Sequence, residues 1–267
     1  MVRRHPGVEA FRLVTDDCLL QALERYYDTV PRAAADAESV GPFTLFVARE
    51  GWPYYARPRL GSDATYTASD VLAVLARQRE LDVPRSLEWV HQTTPSLLAA
   101  AKSVGLSVEE CALLVLEEAL SPPVVDDVTV RMLDPTDPGF ATARSAVDAG
   151  FSNRDKLRLE RVADAIAARA EAGLLRIAGA FDDDGHAVGG GSHSPRDGVT
   201  ELTGIAVLPS WRRRGVGAAL TAALTRDAMA GGATTVFLSA ASESVARIYE
   251  GVGFVRVGTA CIVSGHE

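Results

Sequence analysis

Hydrophobic and polar positions alternate along this chain in two rhythms, and each half of it runs both. In the second half, Val128-Thr129-Val130-Arg131-Met132-Leu133 alternates as a strand does. Residues 140–151 and 155–172 predict helices; in the second, Leu157, Val162, Ile166 and Ala170 recur on one face with charges between them. The runs 174–181 and 187–194 predict a strand pair joined by the polar turn Asp182-Asp183-Asp184-Gly185. An apolar strand follows at 201–208, closed by Pro209-Ser210, and then a helical run that begins at Ala218 and stops at Gly231-Gly232. A buried strand at 234–239, a short helix at 242–251 and a last strand from Gly253 complete the half.

Between the strand at 201–208 and its helix stands Arg212-Arg213-Arg214-Gly215-Val216-Gly217. A helix N-terminus carries unpaired N–H groups and a partial positive charge, so it attracts anions. Glycine lets the backbone curl and come close to a ligand. Three arginines beside such amides imply a multiply charged anion, most simply a pyrophosphate. The dinucleotide fingerprint is excluded, because the position for its third glycine is Leu220. The P-loop is excluded because no Gly-Lys-Ser/Thr ending follows.

What is left is an R-x-x-G-x-G/A pattern on Arg212, Gly215 and Gly217. With its strand and helix it resembles the GCN5-related N-acetyltransferases (GNAT), whose loop grips the pyrophosphate of acetyl-CoA. Tyr249 followed by Gly253 and Phe254 fits the ending of that family. Ser242 departs from it, standing where asparagine is common, and a hydroxyl offers fewer hydrogen bonds than an amide. The resemblance covers about residues 126–267. It implies an α/β protein of the α+β type, with a mixed, mostly antiparallel central sheet flanked by helices. It implies acetyl-CoA as cofactor, with coenzyme A as product. The cofactor would lie on the backbone of Ile205, Ala206 and Val207, on Arg212, Arg213, Arg214, Gly215, Val216, Gly217 and Ala218, and near Ser242.

Amine attack on a thioester needs the neutral amine, and a lysine-like amine has a pKa of about 10.4. A positioned base offsets part of that deficit, by about 10²–10⁴-fold in rate. The resemblance puts Glu201, at the start of the cofactor strand, in this role; His193, after Gly189-Gly190-Gly191-Ser192, is the alternative. Tyr249 would supply a proton or hydrogen bond to the departing thiolate. Segment 150–156 is where acceptor contacts are expected, with Phe151 and Asn153 as candidates.

Composition narrows the setting. A formal charge of −8 argues against nucleic acid as main partner. No apolar run approaches the roughly 20 residues a bilayer requires, and the start Met1-Val2-Arg3-Arg4-His5-Pro6 lacks the apolar core of a signal peptide. Cys18, Cys111 and Cys261 are far apart and no Cys/His cluster suggests a metal, so the expectation is a cytoplasmic protein without metal or membrane, monomeric or homodimeric.

Leu120-Ser121-Pro122-Pro123 and Asp126-Asp127 predict a break between a domain at 1–122 and one at 126–267. The two halves match when shifted by 148 positions. Leu87-Glu88-Trp89-Val90 then falls on 235–238, the helical 95–103 on 243–251, and Ala112 on Ala260. In that register 64–70 replaces the arginine–glycine loop with no glycine or arginine, Ala101 replaces Tyr249 and Pro53 replaces Glu201. The first half therefore reads as a smaller, degenerate GNAT-like copy without its own cofactor. Three functions stay open: acetyl transfer to the primary amine of a small molecule, transfer to a protein lysine or N-terminus, and non-catalytic acyl-CoA binding in regulation.

Overall fold

The structure is a computed structural model that describes residues 6–49, 54–119, 121, 124–159 and 161–265; Met1 to His5, Pro53, Leu120 and Pro122-Pro123 lie outside the described residues. In chain order the elements are α1 (Pro6–Arg32), β1 (Ala35–Val40), β2 (Phe43–Ala48), β3 (Ala56–Pro58), α2 (Ala68–Glu80), β4 (Leu87–Val90), α3 (Pro95–Ser103) and β5 (Glu109–Leu116). The second half supplies β6 (Val128–Leu133), α4 (Gly139–Phe151), α5 (Asp164–Glu171), β7 (Arg176–Asp182), β8 (Ala187–His193), β9 (Val199–Val207), α6 (Val216–Ala230), β10 (Thr235–Ala240), α7 (Glu243–Glu250) and β11 (Phe254–Val263). The expected mixed, mostly antiparallel sheet with flanking helices is present. The helix expected over 155–172 is shorter, because the carboxylate of Asp155 binds Ser210 and the helix begins only at Asp164.

Two compact units result, and the first is not contiguous in sequence. One comprises residues 1–111 with 257–267, the other 112–256. These bounds differ from a break at 122–126, and the strand pairings show why. Residues 112–115 of β5 pair antiparallel with 237–240 of β10, inside the second unit. Residues 260–263 of β11 pair antiparallel with 87–90 of β4, inside the first. Each half thus gives its last strand to the other half's sheet. Both sheets otherwise follow one plan, in which a strand pairs parallel with the next and antiparallel with the exchanged strand: Ala56 with Leu87 in the first unit, Thr235 with Val199 in the second.

In the second unit two apolar layers sandwich the sheet. On one face Leu202, Val216, Leu220, Leu224, Leu238, Tyr249 and Phe254 share a cluster; on the other, Ile177 and Phe181 pack against Phe140, Ala143, Ala146 and Ala149 of α4. The glycine run of β8 permits this closeness. A Cβ at Gly190 would lie 3.0 Å from the Ala143 carbonyl, and one at Gly191 would lie 2.9 Å from Ile205 Cγ1. In the first unit Phe43, Leu45, Leu87, Trp89 and Leu97 pack with Cys261 and Val263 of the exchanged strand.

Removing 257–267 should therefore open the first unit, although these residues come last in the chain. Val263 is 3% exposed, and a fully buried valine contributes about 1.5–3 kcal/mol. The opening free energy of amides in 68–103 should fall by at least about 2 kcal/mol, while amides in 176–207 keep theirs, by hydrogen exchange. Unchanged protection at 68–103 would contradict the strand exchange.

Candidate active site

The site is built around β9. It pairs with β8 along its length, and Gly204 (φ +62°) bulges it where Gly190 opposes Ala206 but Ser192 opposes Thr203. Its parallel pairing with β10 ends at Glu201 opposite Phe237, and beyond that point β10 turns its 238–240 segment to β5 alone. Past Glu201, among the described residues, the β10-facing edge of β9 has no strand partner, so Ile205, Ala206 and Val207 lie on an open backbone edge. Thr200 and Leu202 face the α6 side, so Glu201 between them faces the α4 side, where it is half-buried.

After β9 a 3₁₀ turn, Pro209–Trp211, leads into the arginines, and Gly215 in left-handed conformation (φ +89°) forms the N-cap of α6. Having no side chain, Gly215 leaves the first amides of the helix uncapped. Gly217 needs glycine for neither backbone nor packing: a Cβ there would touch only Val207 Cγ2, at 4.0 Å. Space is kept open beside the amides of Val216, Gly217 and Ala218. Arg213 (φ +63°) and Arg214 are exposed and have no ion pair among the described residues; Arg214 stacks on Trp211, 4.5 Å from the ring centre. The loop can take a pyrophosphate.

Arg212 is differently placed. Its Nε donates to the Val207 carbonyl at 3.1 Å, and its two terminal nitrogens donate to Asn153 Oδ1 at 2.9 Å and the Gly150 carbonyl at 2.7 Å. The expected phosphate ligand is thus committed to the protein. Asn153, expected to touch the acceptor, closes α4 instead: with φ +52°, its N–H binds the Gly150 carbonyl and the Arg154 N–H binds that of Ala149, a Schellman ending. Phe151 is exposed, as an acceptor-contacting side chain must be.

Tyr249 lies on α7 in the same cluster as Val216 and Leu220, tilted against Phe254 at 6.3 Å between ring centres. Its hydroxyl has no hydrogen-bond partner among the described residues, and burial pushes its pKa up to about 12. It stays protonated at neutral pH and can donate. Ser242 is the N-cap of α7: its oxygen accepts from the Val245 N–H at 3.3 Å and sits 3.0 Å from the Ser244 hydroxyl.

The alternative base, His193, belongs to the frame. It is 1% exposed, and its Nε2–H donates to Asp227 at 2.9 Å, which leaves Nδ1 to accept from Thr200 at 3.0 Å. Asp227 also receives Arg176 through two bonds, of 2.9 and 3.0 Å. Burial holds the His193 pKa below its ordinary value despite that carboxylate. Burial raises the pKa of Asp227, but Arg176 and His193 together outweigh it and leave the net value low. Both imidazole nitrogens are committed, tying β8 and β9 to the last turns of α6. This bond network was missed in the sequence, where nothing links Asp227 to His193.

The first unit shows what the same plan looks like when protein groups fill it. At the start of α2, Thr67 and Asp70 form a reciprocal capping box, so a carboxylate sits where the N-terminus of α6 is open. Beyond the Ala56–Leu87 pair, Arg57 of β3 meets Glu88 of β4 at 3.2 Å, reaches Glu24 at 3.7 Å and stacks on Tyr27 at 4.0 Å. Burial raises the pKa of Glu88.

Residues 145–254 match the profile of the Acetyltransferase (GNAT) family. By that match residues 145–254 form a GNAT acetyltransferase domain. Solved structures share the fold over nearly the whole chain. A GCN5-related N-acetyltransferase from Kribbella flavida is 22% identical, with a TM-score of 0.71, over 93% of this chain and 96% of that one. One from Sphaerobacter thermophilus is 16% identical, with a TM-score of 0.59, over 86% and 83%. A tandem GNAT protein from the clavulanic acid biosynthesis pathway is 15% identical, with a TM-score of 0.51, over 84% and 79%. The first half, covered by these superpositions, shares their fold as well. No curated protein sequence matches the chain. Among the described residues, no helix is long and apolar enough to cross a membrane.

His193 yields a prediction of sign. Its folded pKa is depressed, so below about pH 6.5 the unfolded chain takes up a proton that the folded one refuses. Stability should fall as pH drops from 7 to 5, and His193→Gln should flatten that slope in urea unfolding curves. Parallel slopes for the two proteins would remove His193 as its source.

Proposed function

We propose that the second unit transfers an acetyl group from acetyl-CoA to a primary amine, most simply that of a small molecule, in a ternary complex. The observation that carries this reading is the uncapped, side-chain-free N-terminus of α6, set beside the open edge of β9. Amides at 216–218 with Arg213 and Arg214 would hold the pyrophosphate, and the backbone of 205–207 would pair with the pantetheine arm as a further strand does. Bound there, acetyl-CoA supplies the thioester acyl group. Glu201, on the α4 face of β9, takes the proton from the attacking amine directly or through water. The Tyr249 hydroxyl donates to the sulfur as it leaves; because thiolates leave readily, this donor assists more than it decides. The first unit, with Asp70 in its helix cap and Arg57 and Glu88 bridging its parting strands, acts without a cofactor of its own.

Calorimetry with acetyl-CoA comes first, followed by coenzyme A release assays on small amines and on lysine peptides. Gly217→Asp should fold normally, since a side chain there meets almost nothing. It should weaken acetyl-CoA binding at least tenfold, about 1.4 kcal/mol. Undiminished affinity would refute the pyrophosphate assignment. Tyr249→Phe should leave acetyl-CoA affinity within about twofold and lower kcat by roughly ten- to a hundredfold, the low end for a positioned acid. An unchanged kcat would reduce Tyr249 to packing. Binding without turnover on any amine would favour the non-catalytic reading.

A further inference from the structure

On its α4 side the sheet of the second unit is not fully covered. Thr203 and Gly204 are exposed although they lie inside β9. Thr203 stands opposite Ser192 of β8, and the two hydroxyls are 3.1 Å apart. Ser192 in turn stands opposite Ile177 of β7. Glu201, two residues before Thr203, shares this face. These groups form the floor of an open patch, and α4 and α5 bound it. A Cβ at Gly204 would lie 3.9 Å from Val147 Cγ1 of α4 and 4.0 Å from Ser192 Oγ. Ala170 of α5 shares a cluster with Ile177.

Arg144 stands three residues before Val147 on the same face of α4, and Arg169 directly precedes Ala170. Both are partly buried, yet neither guanidinium has a hydrogen bond or an ion pair among the described residues. Other arginines of the unit are answered: Arg131 by Asp137, Arg176 by Asp227, Arg256 by Glu243 and Glu250. Burial lowers the pKa of Arg144 below its ordinary value; Asp148 opposes this only in part, and Arg169 lowers it further. Two like charges brought together under partial burial are costly unless an anion pairs with them. A guanidinium presents a planar fork of donors that matches a carboxylate.

We propose that Arg144 and Arg169 form an anion subsite beside Glu201, and that the acceptor is an amine bearing a carboxylate, an α- or ω-amino acid. The proposal rests on the reading of Glu201 and β9 as the place of acetyl transfer. The carboxylate pairs with the two guanidinia, which directs the amine of the same molecule over the Ser192 and Thr203 hydroxyls toward Glu201. Opposite charges at the two ends also select: a plain alkylamine leaves both arginines unpaired, and a polyamine meets them with a second cation.

The anion subsite is tested without cofactor in protein labelled with ¹⁵N-arginine. The Nε–H signals of Arg144 and Arg169, assigned through Arg144→Gln and Arg169→Gln, are followed during titration with N-acetylglycine, N-acetyl-β-alanine and N-acetyltyrosine, each beside its carboxamide. At least one carboxylate should move both signals saturably, with a Kd of millimolar order or tighter, and its carboxamide should not. Arg144→Gln should abolish the movement of the Arg169 signal. It removes an unpaired, partly buried cation, so its urea midpoint should not fall. Unmoved signals, or equal movement by the carboxamides, overturn the subsite. In coenzyme A release assays the preferred amino acid should exceed its carboxamide at least tenfold in kcat/KM, although the carboxamide's amine gives up its proton more easily. That preference should shrink below threefold in Arg144→Gln, through KM. Equal turnover of amino acid and carboxamide by the natural chain overturns the acceptor class. Failure to bind acetyl-CoA in calorimetry overturns the transfer reading and the acceptor role with it, while the titration judges the anion subsite by itself.

Discussion

The parting of β9 from β10 at Glu201 and Phe237 is the constraint on which the rest of the second unit depends. Backbone groups in a sheet interior must be paired, so an open edge there survives only where another chain-like partner or water can reach it. The Gly204 bulge, the exchanged strand β5 on the far side of β10 and the glycine run of β8 all bear on this one opening. The bulge re-aims β9. Strand β5 takes up residues 237–240 of β10. The glycines let α4 and α6 close on the two faces, so that the N-terminus of α6 lies beside the end of β9.

Strand exchange makes two similar halves into one folding problem. Neither sheet is complete until both halves have been made, because β5 completes the sheet of the later half and β11 that of the earlier. A repeat that started as two copies could not readily lose one of them afterwards. The first unit follows the same plan of parallel pairing and exchanged strand. A capping box closes the start of its helix α2, where α6 has no side-chain cap, and an arginine between two glutamates lies beyond the Ala56–Leu87 pair. Buried charges of this kind tolerate removal of neither partner, which favours retention once they are formed.

Within the second unit, charge is divided by task. Arg176, Asp227 and His193 fasten the end of α6 remote from the site, and Arg212 fastens the loop before its start. Arg213 and Arg214 are exposed and have no ion pair among the described residues. The three adjacent arginines are thus placed differently, and positive φ at Arg213 turns the chain between the first and the others.

Local chemistry was legible in the sequence. Strand periodicity placed the starts of β6 to β11 within two residues, since the alternation of burial is written in the order of side chains. The two glycines after an apolar strand marked the open helix start, because conformational freedom and lack of a Cβ are properties of the residue itself. The match of the halves at a shift of 148 residues even aligned the start of α2 with that of α6. What the order of residues could not determine were the pairings between distant positions. The exchange of β5 and β11, the commitment of Arg212 to Asn153 and Gly150, and the burial of His193 against Asp227 are choices among partners far apart in sequence. An arginine or a histidine carries the same donors wherever it stands; only the packed chain decides whether they face a neighbour or a ligand.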